Sequence, residues 1–135
     1  MRDTLSPEQI ASYERDGFLS PIPVFPRDEV QRLRDYFEAF EQRFGGIEKA
    51  VGRRTDLHLL TDWGFDVVTD SRIVGPVTSI LGPDVLLWSM NWFIKEPDNT
   101  KFVSFHQDAN YWGLEPHDVA TAWVALSDAG VSTGP

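Results

Sequence analysis

The stretch VLLWSMNWFIK, residues 85–95, marks the point at which the sequence changes from helical to alternating periodicity. One of its faces is wholly apolar and consists of Leu86, Trp88, Met90, Trp92 and Ile94. The opposite face turns polar toward the C-terminal end, where Asn91 and Lys95 lie. Because side chains alternate between the two faces of a strand, this pattern predicts a buried β-strand. Shorter runs of similar character predict further strands over residues 102–106 and 119–127.

The sequence before this strand carries two strong helix patterns. Ser6 and Gln9 form a capping box with a proline between them, which predicts a helix over residues 7–16 that ends at Gly17. A stripe of apolar residues at helical spacing predicts a second helix over residues 27–44. The stripe consists of Val30, Leu33, Phe37, Phe40 and Phe44.

A third helix pattern begins at Asp70 or Ser71, either of which is a suitable N-cap, and ends at Gly82. Pro76 interrupts this pattern, because an interior proline removes a hydrogen-bond donor from the helix. Residues 47–69 have a weak pattern, which we interpret as a loop with about one helical turn.

The order of the elements, with helices first and strands after them, predicts an α+β fold with an antiparallel sheet. The 135 residues suffice for a single domain, residues 1–135. The chain has 12 Lys and Arg against 21 Asp and Glu, a formal charge of −9, so nucleic acids and anionic membrane surfaces are poor partners.

Cysteine is absent, which excludes disulfides, thiolate metal sites and cysteine nucleophiles. No apolar run approaches the roughly 18 residues of a membrane span, and the N-terminus has no signal-like segment. These features lead us to expect a cytoplasmic protein without a membrane partner.

The chemically informative motif is the pair His106 and Asp108. On an extended segment, residues two apart leave the same face, so both side chains would enter one space. An imidazole and a carboxylate together are two of the three ligands that hold ferrous iron in two-histidine, one-carboxylate sites. The alternative is a histidine that simply hydrogen-bonds to the aspartate. Three aromatic residues flank the pair, namely Phe105, Tyr111 and Trp112. They could form the wall of a pocket around it, or they could belong to the hydrophobic core.

Asn91 and Lys95 bring an amide and a cation to an otherwise apolar strand face. A buried lysine without a partner is costly, so either this end of the strand is exposed to solvent or an anion binds there.

Three segments together resemble the phytanoyl-CoA dioxygenase family: NWFIKEP at 91–97, HQDANYW at 106–112 and TAWVAL at 121–126. The N-terminal segments LSPEQI at 5–10 and RDGFL at 15–19 resemble the same family. The resemblance covers almost the whole chain and is weakest between residues 47 and 69.

The resemblance implies N-terminal helices packed on a double-stranded β-helix, the cupin-like jelly-roll. It also implies an enzyme that uses Fe(II), 2-oxoglutarate and O2 to hydroxylate a small organic molecule. His106 and Asp108 would then be catalytic metal ligands. Retention of Asp108 favours hydroxylation, since related halogenating enzymes carry a small residue there.

For the co-substrate, the resemblance implies a 2-oxoglutarate pocket lined by Asn91, Lys95 and Trp123. Tyr111 and Trp112 would contact the substrate.

The family pattern continues beyond residue 135 into a segment with a distal histidine ligand and a 2-oxoglutarate-binding arginine. His58 and His117 do not match that histidine. We therefore expect the N-terminal half of an oxygenase domain, with a jelly-roll truncated at the C-terminus, an inactive isolated fragment and self-association through the unfinished sheet. A non-catalytic jelly-roll module that binds a ligand or metal, and a plain structural domain, are the alternatives.

Overall fold

The computed structural model describes residues 4–46, 55–95 and 102–133. Its helices are α1 (Pro7–Asp16), α2 (Arg27–Arg43), α3 (Asp62–Thr69), α4 (Ser71–Leu81) and the short α5 (Ala109–Trp112). Two 3-10 helices cover Leu57–Leu59 and Val131–Thr133. Within these ranges, no helix has the length and apolar character needed to cross a membrane.

The helices predicted from local signals are confirmed. The Ser6 hydroxyl accepts from the Gln9 backbone N–H at 3.2 Å, and Gln9 Oε1 accepts from the Ser6 N–H at 2.9 Å. Gly17 ends α1 with a left-handed φ of 78°, which glycine adopts without steric cost. Helix α2 ends at Arg43, one residue before the predicted end, and α4 accommodates Pro76 in its interior.

The interpretation of residues 47–69 as a loop with about one helical turn is wrong for α3, which is a regular helix of eight residues. The Thr61 hydroxyl caps this helix by accepting from the Gly64 N–H at 3.2 Å, and it donates to the Leu57 carbonyl at 2.9 Å. A Cβ on Gly64 would lie 2.9 Å from the Leu57 carbonyl oxygen, so this position has room only for glycine. An eight-residue helix is marginal alone, and packing on the neighbouring 3-10 helix stabilises it. Residues 47–54 of the predicted loop lie outside the described residues.

An aromatic cluster joins the helices to the extended segment 85–95. The rings of Phe37 in α2 and Trp92 stack with centroids 4.3 Å apart. Trp63 in α3 meets Trp92 edge-on at 5.5 Å and stacks on Tyr36 at 5.9 Å. Leu57 is completely buried beside this region. Trp92 therefore attaches the apolar face predicted for this segment to the helical layer.

The three predicted strands form no β-ladder within the described ranges. One isolated antiparallel bridge pairs Thr55 with Asn91, and the Asp56 N–H donates to the Met90 carbonyl at 2.6 Å. A strand needs hydrogen-bonding partners along its length, and apolar side chains of these segments, such as Leu86 and Phe102, are largely exposed. The sheet, and with it the jelly-roll class, stays a prediction.

A charged network ties the start of α4 to α2. Arg72 Nη2 lies 2.7 Å from Glu29 Oε2 and 2.7 Å from Asp70 Oδ2, and its guanidinium stacks over the Phe25 ring at 4.5 Å. Asp70 is also the N-cap of α4, because its side chain accepts from the Arg72 backbone N–H at 2.8 Å. The side-chain hydrogen bonds from Arg72 lower the pKa of Asp70 below its ordinary value.

This lowered pKa predicts an acid-dependent contribution to stability. The unfolded chain binds the Asp70 proton more readily than the folded chain, so the contribution is present above the unfolded pKa of about 4 and is lost as pH falls through the folded pKa. Asp70→Ser keeps a capping hydroxyl and removes the titrating group. We expect the free energy of unfolding, measured in urea from pH 6 downward, to fall less steeply below about pH 4 for Asp70→Ser than for the wild type. Parallel curves would contradict the role of Asp70.

Candidate functional site

His106 and Asp108 come together at the start of α5. Their Nε2 and Oδ1 atoms are 3.3 Å apart, and the side chains are 38% and 30% exposed. The backbone conformation that brings the two side chains together is not the extended strand predicted from the sequence. Asp108 has helical dihedrals, with φ −56° and ψ −40°, so a turn into α5 brings its carboxylate back toward His106.

Each member of the pair is held by one further contact. His106 Nδ1 lies 2.8 Å from the Ser104 carbonyl oxygen. A carbonyl only accepts, so Nδ1 carries the hydrogen and Nε2 of the neutral ring carries the lone pair. The Thr121 hydroxyl donates to Asp108 Oδ2, which leaves Oδ1 to face the imidazole.

In this arrangement a nitrogen lone pair and a carboxylate oxygen point at each other. Two acceptors repel unless a proton or a cation lies between them. Two neighbouring metal ligands, each about 2.1 Å from an ion and at a right angle, are roughly 3 Å apart, so the separation of His106 Nε2 and Asp108 Oδ1 fits a shared metal ion. A protonated imidazole would satisfy the same geometry as an ion pair. Within residues 4–46, 55–95 and 102–133, no group of three or more His, Cys, Asp or Glu side chains is placed so that it could hold a metal ion.

The pair lies in an open cleft of about 440 Å³. The cleft is lined by Phe102, Val103, Ser104, His106, Asp108, Tyr111 and Trp112. The Tyr111 ring meets the His106 imidazole edge-on at 5.9 Å, and Trp112 lies 6.4 Å from Trp88 of the extended segment. Of the three aromatic residues that the sequence placed beside the His106–Asp108 pair, Tyr111 and Trp112 line the cleft with it, whereas Phe105 is fully exposed and does not.

The three residues expected to line a 2-oxoglutarate pocket lie outside this cleft. Asn91 donates from its side chain to Ser89 Oγ at 3.3 Å, and Lys95 and Trp123 are exposed. Their convergence on the His106–Asp108 pair stays a prediction.

Two other features bear on the site. Sequence reasoning assigns Thr121 no role of its own, although its position two residues from Trp123 puts both side chains on one face of the predicted strand. His58 is nine-tenths buried, with Nδ1 4.0 Å from Asp56 Oδ1, and lies next to Leu57 in the 3-10 helix, not in the cleft.

Comparisons with known proteins place these motifs in a wider context. A family model described as phytanoyl-CoA dioxygenase matches residues 13–135. Ectoine dioxygenase of Bordetella parapertussis is 26% identical over 152 aligned positions, which cover 98% of this chain and 48% of that protein. Human peroxisomal phytanoyl-CoA dioxygenase is 24% identical over 155 positions, covering 98% of this chain and 46% of the human protein. The chain spans about half the length of these curated relatives. No solved structure matches it.

Proposed function

The chain belongs to the phytanoyl-CoA dioxygenase family, and from this premise we propose that it provides the metal-binding pair of an Fe(II)- and 2-oxoglutarate-dependent dioxygenase. The reaction is hydroxylation of a small organic molecule. The observation that carries the proposal is the approach of His106 Nε2 to Asp108 Oδ1 at 3.3 Å, with both groups oriented as acceptors. An acceptor pair of this kind needs a proton or a cation between its members, and in this proposal the cation is Fe(II).

His106 and Asp108 would hold the iron, which when bound would supply dioxygen activation with 2-oxoglutarate as the source of electrons. The Ser104 carbonyl keeps the His106 proton on Nδ1 and so keeps Nε2 available as a ligand. Asp108 contributes the negative charge that offsets part of the charge on the ion. The aromatic rings of Tyr111 and Trp112 line one side of the cleft and offer an apolar surface to the substrate.

The co-substrate pocket in this proposal is formed by Asn91, Lys95 and Trp123. A lysine ammonium attracts a carboxylate, and an asparagine amide donates hydrogen bonds to it. Both residues lie toward the C-terminal end of segment 85–95, which also contacts the cleft through Trp88.

Trp123→Ala tests this pocket. If the indole contacts 2-oxoglutarate, its loss raises the KM for 2-oxoglutarate several-fold and leaves the iron requirement nearly unchanged. Both are measured by succinate production from the protein made from its complete coding sequence. Phe18→Ala removes another exposed aromatic side chain, one that does not line the cleft, and is the control, with no expected change in the 2-oxoglutarate KM. Equal changes in both requirements, or in neither, would assign Trp123 to packing alone.

The proposal specifies the substrate only as a small organic molecule, and the one further partner it includes is a second copy of the chain. The names of the two relatives refer to different molecules, so they support a reaction class and leave the substrate open. The net charge of −9 disfavours electrostatic steering of a strongly anionic substrate. Exposed apolar side chains on the extended segments, such as Leu86 and Phe93, support self-association of the isolated chain.

A non-catalytic module that binds a metal or ligand is the second candidate, favoured by a described donor set of two side chains. The experiment that separates them uses protein from the complete coding sequence, loaded anaerobically with Fe(II) and then exposed to air with 2-oxoglutarate. Chelator-sensitive succinate production supports the dioxygenase. Iron binding without succinate supports the module, and absence of both overturns the metal site. The 135-residue chain alone is expected to bind iron weakly and to yield no succinate, because it offers two ligands in its described part.

A further inference from the structure

Thr121 reaches the metal pair from a distant part of the chain. Its hydroxyl donates to Asp108 Oδ2 across a separation of 13 residues. Asp108 is the N-cap residue of α5, yet its side chain makes no capping hydrogen bond. The carboxylate is therefore turned away from the helix that it precedes and toward Thr121 and His106.

We propose that Thr121 is a positioning residue that presents the Asp108 carboxylate to the metal through Oδ1 alone. The inference rests on the proposed metal site and concerns how that site is oriented. An isolated carboxylate can rotate and offer either oxygen, or both, to an ion. With Oδ2 engaged by a hydroxyl donor, Oδ1 is the oxygen with its lone pairs directed at the space beside His106 Nε2.

Each of the two proposed ligands is thus held by one hydrogen bond on the side that faces away from the other ligand. The Ser104 carbonyl engages the nitrogen of His106 that points away from Asp108, and Thr121 engages the oxygen of Asp108 that points away from His106. Outer contacts of this kind fix the orientation of metal ligands, and their loss typically weakens metal binding by about 10–100-fold. One-point attachment of Asp108 also leaves one more coordination position open than attachment through both oxygens.

The experiment measures Co(II) binding by visible absorption, using protein made from the complete coding sequence. Thr121→Val has nearly the same shape and lacks the hydroxyl, whereas Thr121→Ser keeps the hydroxyl and lacks the methyl group. We expect Thr121→Val to weaken Co(II) binding about 10–100-fold and to alter the absorption bands. Thr121→Ser should stay close to the wild type. Thr69→Val, which removes an exposed threonine hydroxyl bonded to the Phe65 carbonyl in α3, should have no effect.

A double variant identifies the route of the effect. If Thr121 acts through Asp108, Thr121→Val added to Asp108→Ala causes no further loss of affinity. Wild-type affinity and spectrum in Thr121→Val would overturn this inference and leave the proposed function intact. Weak binding by Thr121→Ser equal to that of Thr121→Val would also overturn it, because the methyl group would then be responsible. A wild-type protein that binds no Co(II) would overturn the metal site and this inference together.

Discussion

Replacement of His106 or Asp108 with alanine is expected to abolish iron-dependent succinate production and to weaken metal binding by more than about 100-fold. Outer contacts to metal ligands are typically worth about 10–100-fold in affinity, and a ligand that touches the ion contributes more than its supports. Each substitution leaves one protein donor of the pair, so water takes the vacated position on the ion. Metal affinity is measured by Co(II) titration and turnover by succinate release in the protein made from its complete coding sequence.

The chain contains matched controls for both substitutions. His117 and Asp118 are exposed and adjacent in sequence, so His117→Ala and Asp118→Ala remove the same two functional groups away from the cleft. We expect both controls to keep the metal affinity and turnover of the wild type. If the His117 variant lost metal binding and the His106 variant kept it, His117 would be the metal ligand and our proposal would be wrong.

Leu57→Ala is expected to cause a large loss of stability. Leu57 is 0% exposed, and its carbonyl also accepts the Thr61 hydroxyl at the start of α3. Truncation of a fully buried leucine typically costs about 2–5 kcal/mol, from lost burial and from the cavity that remains. That is a large part of the roughly 5–15 kcal/mol that stabilises a typical domain. Urea unfolding followed by tryptophan fluorescence measures the change.

Leu59→Ala is the control within the same 3-10 helix. Leu59 is 74% exposed, so we expect its truncation to change the free energy of unfolding by less than about 0.5 kcal/mol. Similar losses in the two variants would show that Leu57 does not anchor this region as the structure indicates.

Several parts of the fold were predictable because their signals are local. The capping box of α1 needs only Ser6, Gln9 and the backbone between them, and Gly17 supplies the left-handed end. The stripe of α2 repeats one apolar face over several turns, so its pattern is readable without knowing what it packs against. The proximity of His106 and Asp108 was expected from their i, i+2 spacing, although it arises from a turn and not from the predicted strand geometry.

Other parts depend on contacts between distant residues. Helix α3 is short and was missed, since its stability comes from Gly64 packing on Leu57 and Trp63 packing on Trp92. The turn that brings Asp108 back to His106 replaced the predicted strand geometry, because Asp108 adopts helical dihedrals at the start of α5.

The sequence by itself determined the helices α1, α2 and α4, the chemically paired histidine and aspartate, and the family to which the chain belongs. Tertiary structure alone decided that Trp92 joins segment 85–95 to α2 and that Thr121 holds the carboxylate of Asp108. The physical reason is the range of the interactions. Caps and helical stripes are satisfied within a few turns of the chain, whereas ring stacking and the Thr121 hydrogen bond depend on the path that brings separate segments together.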